Sequence, residues 1–226
     1  MKSTETEQKR PAFSVFGAKP SNALLVPEMP ISVRCNCQSG RWFVGDNDCG
    51  SKLSLTILKF SRFFGKLGLT DREQFGQIWF VAESGDLPQG TVLVTYIKTR
   101  SLQNFNQCVA TIQARGIEPA TGIFVPEFVK FSGNKPDAEG VMRATNYYGL
   151  KWSWEERKDW SIIDQAAAVL SDPSNQSRMV DLEGTRQMVC LDDLSPQQQA
   201  SLLHGVIDQS LLPPEDMLAL ASAEVV

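Results

Sequence analysis

One histidine, His204, serves the whole 226-residue chain, so chemistry that needs an imidazole must draw on that single position. A Ser-His-Asp or Cys-His arrangement would have to recruit it from the acidic C-terminal region. Also missing are a G-x-x-x-x-G-K-[ST] loop, a dinucleotide fingerprint, an H-E-x-x-H pair and a G-x-S-x-G elbow. No apolar run reaches the length that crosses a bilayer, and MKSTETEQKRP at the start has no apolar secretory core. A cytoplasmic location without a membrane partner is the expectation. Five cysteines, an odd number in a chain of this length, do not suggest a disulfide scaffold. Asp46 and Asp48 could hold Mg²⁺, but Asp and Asn are also what turns prefer. The expectation from these absences is a non-catalytic protein with no cofactor and no metal site.

Basic residues are scarce in one place only. Residues 161–226 carry 2 Lys/Arg against 10 Asp/Glu, whereas residues 1–160 carry 20 against 16. A mildly basic body is therefore joined to an acidic tail, which either contacts a partner, covers the body, or is simply the solvated face of helices. Prolines at 11, 20, 27 and 30 and the lack of sustained periodicity mark residues 1–30 as a flexible N-terminal arm. The organisation expected is thus an arm over 1–30, a β-rich body over 31–160, and an acidic helical region over 161–226.

Within the body the patterns are mostly β. Ile31 to Cys35 and Arg41 to Val44 read as short strands about a Ser39-Gly40 turn. Leu53 to Phe60 alternates until Leu58 and Phe60 blur the pattern, as in a strand that bends or is buried on both sides. Ile78 to Ala82 and Thr91 to Thr99, separated by ESGDLPQG, form the clearest hairpin candidate. Leu102, Phe105, Val109 and Ile112 then recur at three- and four-residue spacing, which predicts a helix over 101–115 with Ser101 capping it and Gly116 ending it. Gly122 to Lys130 is a further strand, and Pro126 inside it demands an edge position or a bulge. In YYGLKWSW, Tyr148, Leu150, Trp152 and Trp154 share one face, and the aliphatic member of that row points it to the core. Beyond Asp159 the chain turns helical, with Trp160 expected to pack where the tail joins the body, DPSNQSRM a flexible connection, Ser195-Pro196 the strong start of a helix running to Pro213-Pro214, and a short terminal helix around Met217 to Ala221. The fold class expected is α+β: a curved, largely antiparallel sheet or partly closed OB-like β-barrel with one internal helix, followed by C-terminal helices.

Cys35, Cys37 and Cys49 could place three thiolates around Zn²⁺, although C-x-C is tighter than the usual knuckle and the fourth ligand would have to be Cys108, Cys190, Asp46, Asp48 or His204. Small buried free thiols are the plainer reading, with Cys35 and Cys37 on the face of Val33.

Single-strand nucleic-acid binding asks for less machinery than catalysis: a groove, basic side chains along the backbone path, and aromatics on which bases stack. Candidates are Arg34, Arg41 and Trp42 near the first hairpin, and Lys59, Arg62, Phe63 and Lys66 in and after the third strand. Tyr96, Lys98 and Arg100 follow, and Tyr147 and Lys151 come from the aromatic stretch. Each has a plain alternative as a solvated strand end or a core aromatic. The order WFVGDNDCGSKLSLTILKF, IWFVAESGDLPQGTVLVTYIK, YYGLKWSW resembles that of phage- or plasmid-borne accessory proteins of single-stranded DNA metabolism, over about residues 31–154. That resemblance implies an OB-like barrel, single-stranded DNA or RNA as partner, and an acidic tail, although this tail is helical and ends AEVV. The competing expectation is a scaffolding protein that self-assembles as a homo-oligomer through the arm and the tail helices.

Overall fold

The structure is a computed structural model that describes residues 23–68, 72–136, 139–179 and 188–203. Its strands are β1 (Ile31–Asn36), β2 (Arg41–Val44), β3 (Asn47–Asp48), β4 (Ser54–Gly65), β5 (Glu73–Ser84) and β6 (Val92–Lys98), then β7 (Ile123–Pro136), β8 (Met142–Glu155) and β9 (Met188–Cys190). The helices are α1 (Thr99–Gln113), α2 (Ser161–Ser171), α3 (Pro173–Arg178) and α4 (Pro196–Leu203). All nine strands join one sheet in the order β3-β2-β1-β6-β5-β4-β7-β8, with β9 paired to β4. Every pairing is antiparallel except β1 with β6, where Ile31 to Val33 run parallel to Leu93 to Thr95.

β5 and β6 form the centre of the sheet, and their sequences show why. Ile78, Phe80 and Ala82 of β5 face one core with Leu102, Phe105 and Ile112 of α1, whereas Trp79 and Val81 face a second core with Ala166 and Val169 of α2. A strand covered by helices on both faces loses the apolar–polar alternation and reads as a continuous run, as VLVTYI does in β6. The blurred pattern in β4 has a different cause. Its register with β5 shifts between Ile57 and Lys59, so the extra residue Leu58 makes a bulge and flips the faces beyond it. Pro126 is tolerated because β7 pairs along its length with β8 but meets β4 only at Leu55 and Phe124.

The expectation of a partly closed OB-like barrel is overturned by this topology. The sheet is open and mixed. Both sides of β1 are occupied, by β2 and β6, and β8 pairs with β7 alone. The outer edge of β8 is met by the N-terminal turn of α1 and by the loop after β1, through single hydrogen bonds and no ladder. Leu150 N donates to Ser101 Oγ at 2.9 Å, Asn104 Nδ2 donates to Leu150 O at 2.8 Å, and Tyr148 N donates to Cys37 O at 2.7 Å. A helix thus covers an edge that a barrel would pair with a strand. Ser101, expected as the helix cap, is spent on that edge, and α1 starts two residues earlier.

Part of the expected arm is docked: Leu24 is buried, and Leu25 exchanges hydrogen bonds with Gly90 and Val92 at 2.9 and 2.8 Å. The rest of that arm, residues 1–22, lies outside the described residues. The tail is not helical throughout, since Met188 to Cys190 pair with Gly65 to Phe63 as a strand. α4 starts as the sequence suggests, with Ser195 N donating to Gln198 Oε1 at 3.0 Å and Gln198 N to Ser195 Oγ at 3.4 Å. The expected continuation of this helix, His204 and the terminal helix near Met217 lie outside the described residues.

Candidate anion-binding cleft

Because β1 and β6 are parallel, they end at the same pole of the sheet, and β6 runs directly into α1. That arrangement brings strand ends and a helix N-terminus together, a geometry that suits ligands in open sheets. A cleft of about 970 Å³ opens there. Its walls come from the end of β1 (Arg34, Cys35, Cys37), the β6–α1 junction (Tyr96 to Ser101), and Tyr147 to Gly149 of β8, with Phe75 and Arg178 at the sides. A second groove of about 560 Å³ between α1 and the β7–β8 hairpin contains Arg115, Phe131 and Lys151 and shares Arg100 with the first.

The junction itself is strained. Thr99 has φ of +46°, a left-handed conformation that a β-branched residue rarely adopts. Ordinarily acidic residues occupy the first turn of a helix, where they meet the positive end of the dipole. α1 has none there, and Lys98 and Arg100 stand in their place.

Among the described residues, neither Arg34 nor Arg100 has an ion-pair partner. Each guanidinium lies over a ring, Arg34 5.0 Å from the centroid of Phe43 and Arg100 5.3 Å from that of Phe131. Lys98 is bound to Glu73, Nζ to Oε1 at 3.1 Å, and sits 5.9 Å from the Phe75 centroid. Among the described residues opposing carboxylates are few: Glu28 at the rim, Glu73 on Lys98, and Asp172, whose pKa is lowered chiefly by Ser174 and slightly by Arg178. Phe131 and Tyr147 stack at 5.9 Å and 29°, both half-exposed. Glycines make room for them: a Cβ on Gly149 would stand 3.0 Å from the Phe131 ring, and one on Gly133 would stand 3.2 Å from Tyr147.

Two thiols complete the wall. Cys35 Sγ and Cys37 Sγ are 3.9 Å apart. The hydrogen bond the two sulfurs share, with help from Lys98 and Ser101 against the cost of burial, lowers Cys37 to about 7. The same hydrogen bond, then burial, holds Cys35 well above the usual thiol range. All five cysteines are free, and among the described residues no group of three or more His, Cys, Asp or Glu side chains is placed to hold a metal ion.

Of the residues expected from sequence, Arg34, Tyr96, Lys98, Arg100 and Tyr147 meet in the cleft, and Lys151 lies in the adjoining groove. The others do not join them. Trp42 and Phe63 are enclosed in separate cores, at 0% and 8% exposure, and present no ring to a ligand. Arg41 is paired with Asp48 at 2.6 Å, and Arg62 with Asp192 at 2.7 Å. The Asp46–Asp48 turn is accordingly organised by an arginine, with Asp48 also accepting from Gly50 N at 2.8 Å. Lys59 and Lys66, on and just beyond β4, line neither depression. Sequence reasoning missed Phe75, Phe131, Arg115 and Arg178. Arg178 was hidden in DPSNQSRM, which reads as a flexible connection, yet Asp172 caps it into α3 by accepting from Ser174 N at 2.9 Å.

Comparisons with protein-family models, with curated proteins and with solved structures returned no match. The resemblance to OB-barrel proteins of single-stranded DNA metabolism therefore finds no support there, and the open mixed sheet contradicts it.

Proposed function

We propose that this chain is a binding protein for extended polyanions, single-stranded nucleic acid foremost, and that the ligand follows the cleft from Arg34 past Arg100 into the groove at Lys151. The observation that carries this reading is the charge of the walls. In a chain of net charge -4, Arg34, Lys98, Arg100, Arg115, Lys151 and Arg178 line two connected depressions whose walls hold, among the described residues, one carboxylate, Glu28, with Glu73 reaching Lys98 from outside them. Phosphates would meet the guanidiniums and the N-terminus of α1, and a base would stack on the Phe131–Tyr147 pair beside Arg100. The contacts in this reading are to phosphates and to base faces, which carry no sequence preference. The test is anisotropy of labelled oligothymidylate titrated with the full chain and with a variant carrying Arg34→Ala, Lys98→Ala and Arg100→Ala. Saturable binding by the native chain, lost in the variant, supports the reading; equal curves overturn it.

Self-association is a second reading, favoured by one observation. Met142, the first residue of β8, is 61% exposed, a large apolar side chain at the surface of the β7–β8 hairpin. Sedimentation of the native chain and of Met142→Lys tests it: a shift of the native chain to dimers or larger species that the lysine abolishes would favour this reading.

A further inference from the structure

We infer that Cys35 and Cys37 form a reversible redox dithiol, a modification site for hydroperoxides in the wall of the cleft. Three features of the geometry carry it. Both thiols line the open cleft, Cys35 while also packing against the edge of the core, unlike Cys49, which is buried among Val33, Trp42 and Leu53. The sulfurs are already 3.9 Å apart on residues separated by one, whereas a disulfide needs about 2.05 Å. Cys37 lies just past the end of β1, in a turn held by Asn36 Oδ1, which accepts from Gln38 N at 2.9 Å and Ser39 N at 3.2 Å. Its side chain can therefore rotate toward Cys35 without breaking the β1–β2 ladder.

The two thiols have distinct parts. Cys37, hydrogen-bonded by Cys35 and beside Lys98, is the thiolate and hence the nucleophile. Its sulfur attacks the distal oxygen of a hydroperoxide: an S–O bond forms, the O–O bond breaks, and the departing alkoxide or hydroxide takes a proton from solvent. Sulfur has given up two electrons and stands as sulfenic acid. Cys35 then attacks that sulfur; the S–S bond forms, the S–O bond breaks, and water leaves with the Cys35 proton. The sum is two thiols and one hydroperoxide giving one disulfide and water plus the alcohol or a second water. A ring closed over a single intervening residue gains little from loop entropy, so a small thiol reductant reopens it.

The test uses the reduced full chain and one equivalent of hydrogen peroxide at pH 7, with alkylation of the remaining thiols and tryptic mass analysis. Cleavage after Arg34 and Arg41 places both sulfurs in one peptide, CNCQSGR. That peptide should lose two hydrogens at least about tenfold faster than Cys108 or Cys190 is oxidised, because burial raises both of those thiols. With Cys35→Ser, a sulfenic acid should persist on Cys37 and be trapped by dimedone; with Cys37→Ser, Cys35 should stay reduced. Circular dichroism of each variant verifies the fold. Equal oxidation of all exposed thiols, an intermolecular disulfide in place of the internal one, or dimedone on Cys35 instead of Cys37 would each overturn the inference. No nucleic acid is present in this experiment, so its outcome is independent of the polyanion reading.

Discussion

The two ends of the central strands carry arginines in opposite circumstances. At one pole, near the end of β5, Arg157 is 6% exposed and engages Glu83, Thr56 and the Gly122 carbonyl, the last at 3.4 Å. At the other pole, about 26 Å along the strand from Glu83 by strand rise, Arg34 and Arg100 line an open cleft with aromatic faces beneath them and no carboxylate partner among the described residues. The first arginine is matched to its surroundings and ties the end of β8 to β4 and β5. The second group has no such match among the described residues. Charge that is buried and paired reports on architecture, and the charge gathered around the concavity is what the proposed polyanion would meet.

This contrast can be broken from either side. Arg157→Ala leaves Glu83 and Thr56 without their partner, so unfolding in urea should show a loss of about 3–5 kcal/mol, the cost of an abandoned buried ion pair. The triple replacement of Arg34, Lys98 and Arg100 by alanine should leave the urea midpoint almost unchanged. It should weaken oligothymidylate binding by roughly 100-fold, taking about 1 kcal/mol for each lost charged contact. If instead the cleft variant unfolded and Arg157→Ala were stable, the assignment of the two poles would be reversed. A smaller effect is expected of Phe131→Ala, which removes one member of the stacked pair and should cost about tenfold in affinity, with the circular dichroism spectrum intact. The smallest concerns Cys37. Its lowered pKa puts the thiolate above pH 7 and the thiol below, so alkylation by iodoacetamide should rise through a midpoint near 7. Lys98→Ala should move that midpoint upward, since the groups set against the sulfur are Cys35, Lys98 and Ser101 and only Lys98 is charged.

What the sequence revealed of these poles was uneven, for physical reasons. The hairpin of β5 and β6 and the helix after it were legible because their periodicities are local. Of the row Tyr148, Leu150, Trp152 and Trp154, read as core because an aliphatic residue sits among the aromatics, Leu150 and Trp152 are buried, Trp154 is half-buried and Tyr148 lies in the wall of the cleft; both indoles find backbone acceptors, Ser101 O at 3.2 Å and Pro119 O at 2.9 Å. Trp160, expected to pack where the tail joins the body, is instead 52% exposed, and it is Arg157 that is buried there. A parallel pairing between β1 and β6 left no trace, since it joins segments about sixty residues apart and has no turn between them to read. That pairing sets the cleft, where six of the twelve expected contact residues come together or adjoin, and the other six lie elsewhere. Arg41 and Arg62 could not be told from Arg34 and Arg100 until Asp48 and Asp192 were in place beside the former.

The central claim is that the cleft exists for a polyanion, and its most direct test is the salt dependence of oligothymidylate binding. With four phosphates neutralised by Arg34, Lys98, Arg100 and Lys151, log K against log salt should fall with a slope of roughly -3, and that of the triple variant should be much shallower. Binding with a slope near zero, or no change in anisotropy at low salt with micromolar protein, would contradict it.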